Sequence, residues 1–331
     1  MEIASVLVTG AGGFIGSHLV NDQISLGRKV SALDTNLAKF DDLGDTPNLK
    51  LILGDIRDSK VLAGSLEGID VVFHLASAHL EVSKPLSYFE SINVDAARTL
   101  VELAAAAGAK RIVHCSTVGV FGPLDELPAD EETGCHPDID YEITKLKGEI
   151  AVREAAMREN ISVIILRPAW VYGPGCPRTL KLFRAIGKKK FVMVGDGQNF
   201  RHPIYIDDML MAFEKAASKP NIESDTYIVA AESAVHLGEL IDEIIAVLDF
   251  EFRPIRIPLA LMTPVCVVVE RICKMLNKEP PFSTRSLKFF TESSSFNTSK
   301  AKADLDFQPK VSLADGLRET YESFVSAGLL Q

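Results

Sequence analysis

Short apolar runs alternate with longer stretches of helical periodicity through the first half of the chain. That alternation is the pattern of a parallel sheet whose strands are joined by crossover helices. It predicts strands over Ser5–Thr9, Lys29–Leu33, Leu51–Leu53, Val71–His74, Arg111–Cys115 and Ser162–Leu166. The longer segments predict helices over Gly13–Leu26, Pro85–Ala107 and Tyr141–Arg158. After Leu166 the alternation breaks up. Loops such as Gly173-Pro174-Gly175 and Gly195-Asp196-Gly197 separate helices near 177–187 and 207–217. A tail of helices follows from residue 236, with one more strand near Arg253–Ile257.

The most hydrophobic stretch, Ile257 to Val269, holds Pro258 and Pro264 and is followed by Glu270, Arg271 and Lys274. It is shorter than the roughly 18 residues that cross a bilayer, so no membrane span is expected and a buried or pocket-lining helix is. At 331 residues the chain has ample length for a buried core, and its 47% apolar content is that of a globular protein. A net charge of −10, with Lys188-Lys189-Lys190 as the one basic run, argues against nucleic acid as a partner. The five cysteines are scattered, odd in number and without a Cys-x-x-Cys spacing. They read as reduced thiols rather than a disulfide or metal framework, and with a strand at the N-terminus the expected location is the cytoplasm.

Two motifs carry the chemistry. The turn Thr9-Gly10-Ala11-Gly12-Gly13-Phe14-Ile15-Gly16 lies between the first strand and the first helix. Such a turn brings bare backbone against a pyrophosphate, with the helix N-terminus supplying partial positive charge. Tyr141 and Lys145 stand four apart, so a helix projects both from one face. There an ammonium can lower a phenol's pKa, and a phenol so tuned exchanges protons with a substrate oxygen. A dinucleotide beside a proton-transfer group means alcohol–ketone redox chemistry. Asp34 ends the second strand, about 20 residues past the turn, where a carboxylate holds the adenosine ribose and repels a 2′-phosphate. NAD is expected over NADP.

These motifs resemble the extended short-chain dehydrogenase/reductases, the NAD-dependent epimerase/dehydratase superfamily. Further matching segments are Gly54-Asp55-Ile56-Arg57-Asp58, His74-Leu75-Ala76, Ser116-Thr117-x-x-Val120-Phe121-Gly122 and Arg167-Pro168-x-x-Val171-Tyr172-Gly173-Pro174. Arg201-x-x-Ile204-Tyr205-Ile206-Asp207-Asp208, Ser299-Lys300-Ala301 and Pro309-Lys310-Val311-Ser312-Leu313 extend the match almost to the end. The resemblance implies an α/β fold, a Rossmann-type doubly wound parallel sheet with a smaller C-terminal substrate-binding lobe. The nucleotide-binding part would span 1–168. The lobe would take most of 169–331, interleaved with the sheet near 195–230. A homodimer through the Pro85–Ala107 and Tyr141 helices is implied as well.

The resemblance also assigns roles. Tyr141 is the general acid/base, and Lys145 binds the nicotinamide-side ribose and depresses the tyrosine pKa. Thr117 bonds the reacting oxygen, leaving Ser116 as a backbone-capping neighbour. Gly10, Gly13, Phe14, Ile15, Gly16, Asp34, Asp55, Ile56, Leu75, Ala76 and Pro168 meet the cofactor. His79 matches a substrate-facing position, against the plainer alternative of a structural histidine.

Departures from the pattern bear on substrate. Trp170 stands where many nucleotide-sugar enzymes carry Asn, and indole cannot accept a hydrogen bond. Ser286-Leu287-Lys288-Phe289-Phe290-Thr291 lacks the Arg-x-Gly-Asp of those enzymes, and Val118-Gly119 replaces the Asp-Glu of dehydratases. The tail is similar to the 3β-hydroxysteroid dehydrogenase branch, where an apolar helix, here Ile257 to Leu276, forms an entrance for a lipid-like substrate; core packing is the alternative. Arg201 points the other way, since the sugar-nucleotide enzymes set a phosphate-binding Arg there. It has the alternative of pairing with Asp207 or Asp208. The expected function is an NAD-dependent oxidoreductase acting on a hydrophobic secondary alcohol or ketone. The alternative is a nucleotide-sugar 4-epimerase.

Overall fold

Strands buried on both faces read as near-continuous apolar runs, and the central runs of the first half pair in parallel accordingly. The computed structural model describes residues 1–41, 46–79, 84–220, 222, 225–275 and 284–330. Its first half holds β1 (Ser5–Thr9), β2 (Lys29–Asp34), β3 (Leu49–Leu53), β4 (Val71–His74), β5 (Arg111–Cys115) and β6 (Ser162–Pro168). They are joined through α1 (Phe14–Ser25), α2 (Ser59–Ser65), α3 (Leu86–Glu90), α4 (Ala97–Ala106) and α5 (Asp140–Glu159). Beyond β6 come β7 (Trp170–Tyr172), α6 (Pro177–Gly187), β8 (Val192–Val194), β9 (Phe200–Arg201), β10 (Pro203–Tyr205), α7 (Ile206–Ser218) and β11 (Thr226–Val229). The tail holds β12 (Val235–His236), α8 (Leu237–Val247), β13 (Ile255–Ile257), α9 (Leu259–Met275), α10 (Thr284–Thr291), α11 (Ser299–Leu305) and α12 (Leu313–Ser326).

The seven-stranded sheet runs β11-β6-β5-β4-β1-β2-β3, every pair parallel. Side chains alternate across it with period two. Val6, Val8, Phe73, Val113 and Leu166 face one core, against Leu19 of α1 and Phe213 of α7. Leu7, Val72, Ile112 and Ile165 face the other, against Leu62 of α2, Leu100 of α4 and Val152 of α5. The order reverses between β1 and β4, which puts a crevice at the carboxyl ends of those strands, where open α/β sheets bind ligands. β11 was not among the expected strands. All four of its residues are buried beside β6.

Two expected helices differ from what the pattern suggests. The Pro85–Ala107 helix is interrupted by a π turn at Ser91–Ala96. There the buried Asn93 accepts from the Ala78 amide (2.9 Å) and donates to Thr144 Oγ1 (3.0 Å). The turn lets α5 approach closely, since a Cβ on Gly148 would sit 2.3 Å from the Asn93 carbonyl oxygen.

The apolar helix expected over Ile257–Leu276 is present as α9, with Leu276 outside the described residues. It is neither buried nor pocket-lining. Cys266 and Met262 pack against Val194, Leu287 and Phe290, so α10 stands between α9 and the crevice. The opposite stripe, including Leu261 (63% exposed) and Val268 (55%), faces outward. Among the described residues no helix is long and apolar enough to cross a membrane.

Candidate active site

β1 delivers the glycine turn to the crevice. Gly10 has φ +71°, and a Cβ there would lie 2.6 Å from the Ala76 amide nitrogen, so only glycine lets β1 and the end of β4 meet in this way. Gly13 caps α1 without any side chain, leaving the first amides of the helix open to an anion. Asp34 holds the turn from the side, accepting from Gly12 N (2.9 Å) and Asn36 N (3.0 Å). A residue the sequence did not single out is Lys39, which donates to the Gly13 carbonyl (2.9 Å) from the neighbouring loop.

A cavity of about 780 Å³ opens from this turn. Gly10, Gly13, Phe14, Ile15, Gly16, Leu75, His79, Thr117, Tyr141, Lys145, Pro168, Trp170 and Arg201 all line it. Asp34, Asp55, Ile56 and Ala76 do not. Asp34 and Asp55 close the carboxyl ends of β2 and β3 beyond the turn, linked by the Gly54 N to Asp34 O bond (2.9 Å). Asp55 pairs with Arg57, which holds its carboxyl below the usual range, and Ile56 is buried. Bare glycine backbone, an uncapped helix N-terminus and a carboxylate at the end of β2 together fit a dinucleotide.

α5 carries Tyr141 and Lys145 on the face turned to the sheet. The Lys145 ammonium donates to the Cys115 carbonyl (2.6 Å), and burial lowers its pKa from the usual 10.5. The Tyr141 ring meets His79 edge-on, centroids 4.7 Å apart. Burial pushes the Tyr141 phenol well above the usual 10, with Cys115 and Glu142 adding to the rise and the Arg178 charge opposing it. The expected lowering by Lys145 is therefore not what governs this phenol. Desolvation wins, and Tyr141 is a phenol at neutral pH.

The cap expected of Ser116 falls to Thr117. Thr117 Oγ1 accepts from Gly119 N (3.1 Å) and caps the turn Val118–Phe121, while still reaching the cavity. Ser116 instead donates its hydroxyl to the buried Glu149 of α5. The signal for Glu149 was available: it stands one turn beyond Lys145 on the same helix face.

On the substrate side Trp170 meets Phe289 edge-on, centroids 6.4 Å apart, and Phe296, Leu124 and Val118 extend this apolar wall. The Trp170 indole nitrogen is buried without a hydrogen-bond partner among the described residues. Arg201 pairs with neither Asp207 nor Asp208. Asp208 accepts from the amides of Lys310 (2.8 Å) and Val311 (3.1 Å). Arg201 donates to the carbonyls of Lys288 and Phe289 at the end of α10, and its guanidinium lies over the Phe289 ring, 4.7 Å from the centroid. Burial lowers its pKa from 12.5 to about 10. Its Nε has no hydrogen-bond partner among the described residues. No group of three or more His, Cys, Asp or Glu able to hold a metal ion occurs among the described residues.

Residues 6–230 match the family described as the NAD dependent epimerase/dehydratase family. The chain is 27% identical over 349 residues to the sterol-4-alpha-carboxylate 3-dehydrogenase, decarboxylating, of Candida albicans, covering 97% of each. It is 27% identical over 335 residues to the 2-alkyl-3-oxoalkanoate reductase of Shewanella oneidensis, covering 96% of this chain and 85% of that one. Among solved structures it resembles MoeE5 in complex with UDP-glucuronic acid and NAD, with a TM-score of 0.77 at 27% identity, covering 98% of this chain and all of that one.

Proposed function

We propose, from the premise that the chain belongs to the NAD-dependent epimerase/dehydratase family, that it interconverts a secondary alcohol and a ketone on a hydrophobic substrate. NAD, when bound, accepts or returns the hydride. The chain's own residues then manage position and proton. Tyr141 passes the proton to or from the substrate oxygen, Thr117 bonds that oxygen, and Lys145 holds the ribose beside them. Gly10, Gly13 and the N-terminus of α1 take the pyrophosphate, and Asp34 takes the adenosine ribose. Asp55, Ile56, Leu75, Ala76 and Pro168 complete the cofactor's surroundings, with His79 and Trp170 on the substrate side. Ile150 and Met157, exposed on α5, support a homodimer through that helix.

One observation carries the choice of substrate. The Arg201 guanidinium, the residue that would grip a diphosphate, is spent on two backbone carbonyls and an aromatic ring. The wall beside it is Trp170, Phe289 and Phe296. The two enzymes compared above are named for a sterol carboxylate and an alkyl oxoalkanoate, both mostly hydrocarbon. The second reading, a nucleotide-sugar 4-epimerase, is favoured by the free Arg201 Nε and by the UDP-sugar bound in the compared structure.

Arg201→Ala separates the two. On the first reading it lowers stability, by about 1–3 kcal/mol for buried carbonyls left unpaired, and changes KM little. A KM for a UDP-sugar raised by about tenfold or more at unchanged stability favours the second.

A further inference from the structure

α9 turns a continuous apolar face to the outside. Leu261, Val265, Val268, Ile272 and Met275 follow one another by four, three, four and three residues, so a helix aligns them in one stripe. Each is half or more exposed. Towards the start of the helix the exposed arc is wider. Every residue from Pro258 to Val265 except Met262 is exposed, and none from Ile257 to Val269 is charged. Scattered apolar side chains are ordinary on a protein surface, whereas a contiguous patch marks something that the surface meets.

Charge distinguishes the occupants. Arg253 and Arg256 precede the apolar stretch, and Arg271 and Lys274 follow it. Partly buried Glu270 is the one acid from 253 to 275, in a chain of net charge −10. Arg253, Arg256 and Arg271 are exposed. The nearest acids before the stretch, Asp249 and Glu251, line a separate hollow with Asp242 of α8. An apolar segment bracketed by cations at both ends matches a lipid surface. Acyl chains receive the apolar side chains, and the cations reach the headgroup phosphates. A second copy of the chain is a poorer match. A partner helix would cover the narrow stripe and leave the wider arc exposed, and in either orientation the cations at the helix ends would face those of the other copy.

We propose that α9 docks the protein on an anionic lipid bilayer, lying in the headgroup plane with the stripe from Leu261 to Met275 turned inward. α9 is not long and apolar enough to cross the bilayer, so it lies along the surface. Its other face packs through Met262 and Cys266 on Leu287 and Phe290 of α10, and Phe289 of α10 meets Trp170 in the cavity wall. Docking therefore leaves one helix, α10, between α9 on the bilayer and the cavity, whichever substrate reading holds.

The test sediments the full chain with vesicles of phosphatidylcholine alone and of phosphatidylcholine with phosphatidylglycerol. The wild type is compared with the double variant Leu261→Asp, Val268→Asp and with Arg271→Glu, each checked for an unchanged melting temperature. The expected result is partition onto the anionic vesicles about tenfold or more above that onto phosphatidylcholine alone, falling as salt is added. The double variant should lose at least tenfold of that partition, and Arg271→Glu severalfold. Wild-type protein left in the supernatant with both vesicles overturns the proposal, as does a double variant that binds as the wild type does. Absent vesicle binding together with a lower association state of the double variant in sedimentation velocity assigns the face to a second copy instead.

Discussion

Glu149 of α5 accepts two hydrogen bonds from Arg167 of β6, from Nε at 3.0 Å and Nη2 at 2.7 Å, with side chains only 0% and 6% exposed. The same carboxylate accepts the Ser116 hydroxyl, and the Arg167 guanidinium lies over the Phe121 ring. One buried ion pair thus pins the helix carrying Tyr141 and Lys145 to the strand ends carrying Thr117 and Pro168. Removing one partner leaves a buried charge uncompensated, a change that costs about 3–5 kcal/mol. Glu149→Ala is expected to lose that much in denaturant unfolding, and Glu149→Met with Arg167→Met to recover most of it. A loss below about 1 kcal/mol in the single variant would show that the pair does not lock the site.

The glycine turn and the Tyr141–Lys145 pair were legible because each is a local spacing that one strand end or one helix face must satisfy. Contacts between distant segments were less so. Nothing near Arg201 in sequence indicates that its partners are carbonyls 87 and 88 residues away. The apolar character of α9 suggested a pocket wall, but hydrophobicity does not say which neighbour covers a helix, and α10 took that place. Arg167 did leave a trace, as a charge ending an apolar run, which calls for a buried partner.

On the proposed reading, Asp34 sets cofactor choice. Calorimetric titration of NAD and NADP is expected to give tighter binding of NAD by at least tenfold, about 1.4 kcal/mol. Asp34→Ala should narrow that gap. Equal affinities in the wild type would remove Asp34 from the role.

Stability should depend on pH through His74. Burial holds its pKa near 3, from the usual 6.5, with the Lys145 charge adding to the fall. Between those values the unfolded chain binds a proton that the folded chain refuses. The contribution is therefore fully present above pH 6.5 and is lost as pH falls from there towards 3. Each unit in that window removes about 1.4 kcal/mol for one such group. Thermal unfolding measured from pH 7.5 to 5 should show the decline, shallower in His74→Phe, though His114 contributes in the same direction. An identical slope in the variant would contradict this.

On the proposed mechanism, Tyr141→Phe deletes the proton donor and little else. Turnover should fall by about 10²–10⁴ with NAD affinity nearly unchanged, while Lys145→Ala should impair both. Retention of most activity in Tyr141→Phe would place the proton transfer elsewhere.

The account turns on whether hydride leaves the substrate for good. Purified protein given NAD and an apolar secondary alcohol such as 2-decanol is followed by NADH absorbance, and in parallel it is given UDP-glucose with product sugars resolved. Net NADH that grows with the alcohol over many turnovers, and no change in the sugar, is the expected result. Interconversion of the sugar by tightly retained NAD, with no net NADH from the alcohol, would contradict it.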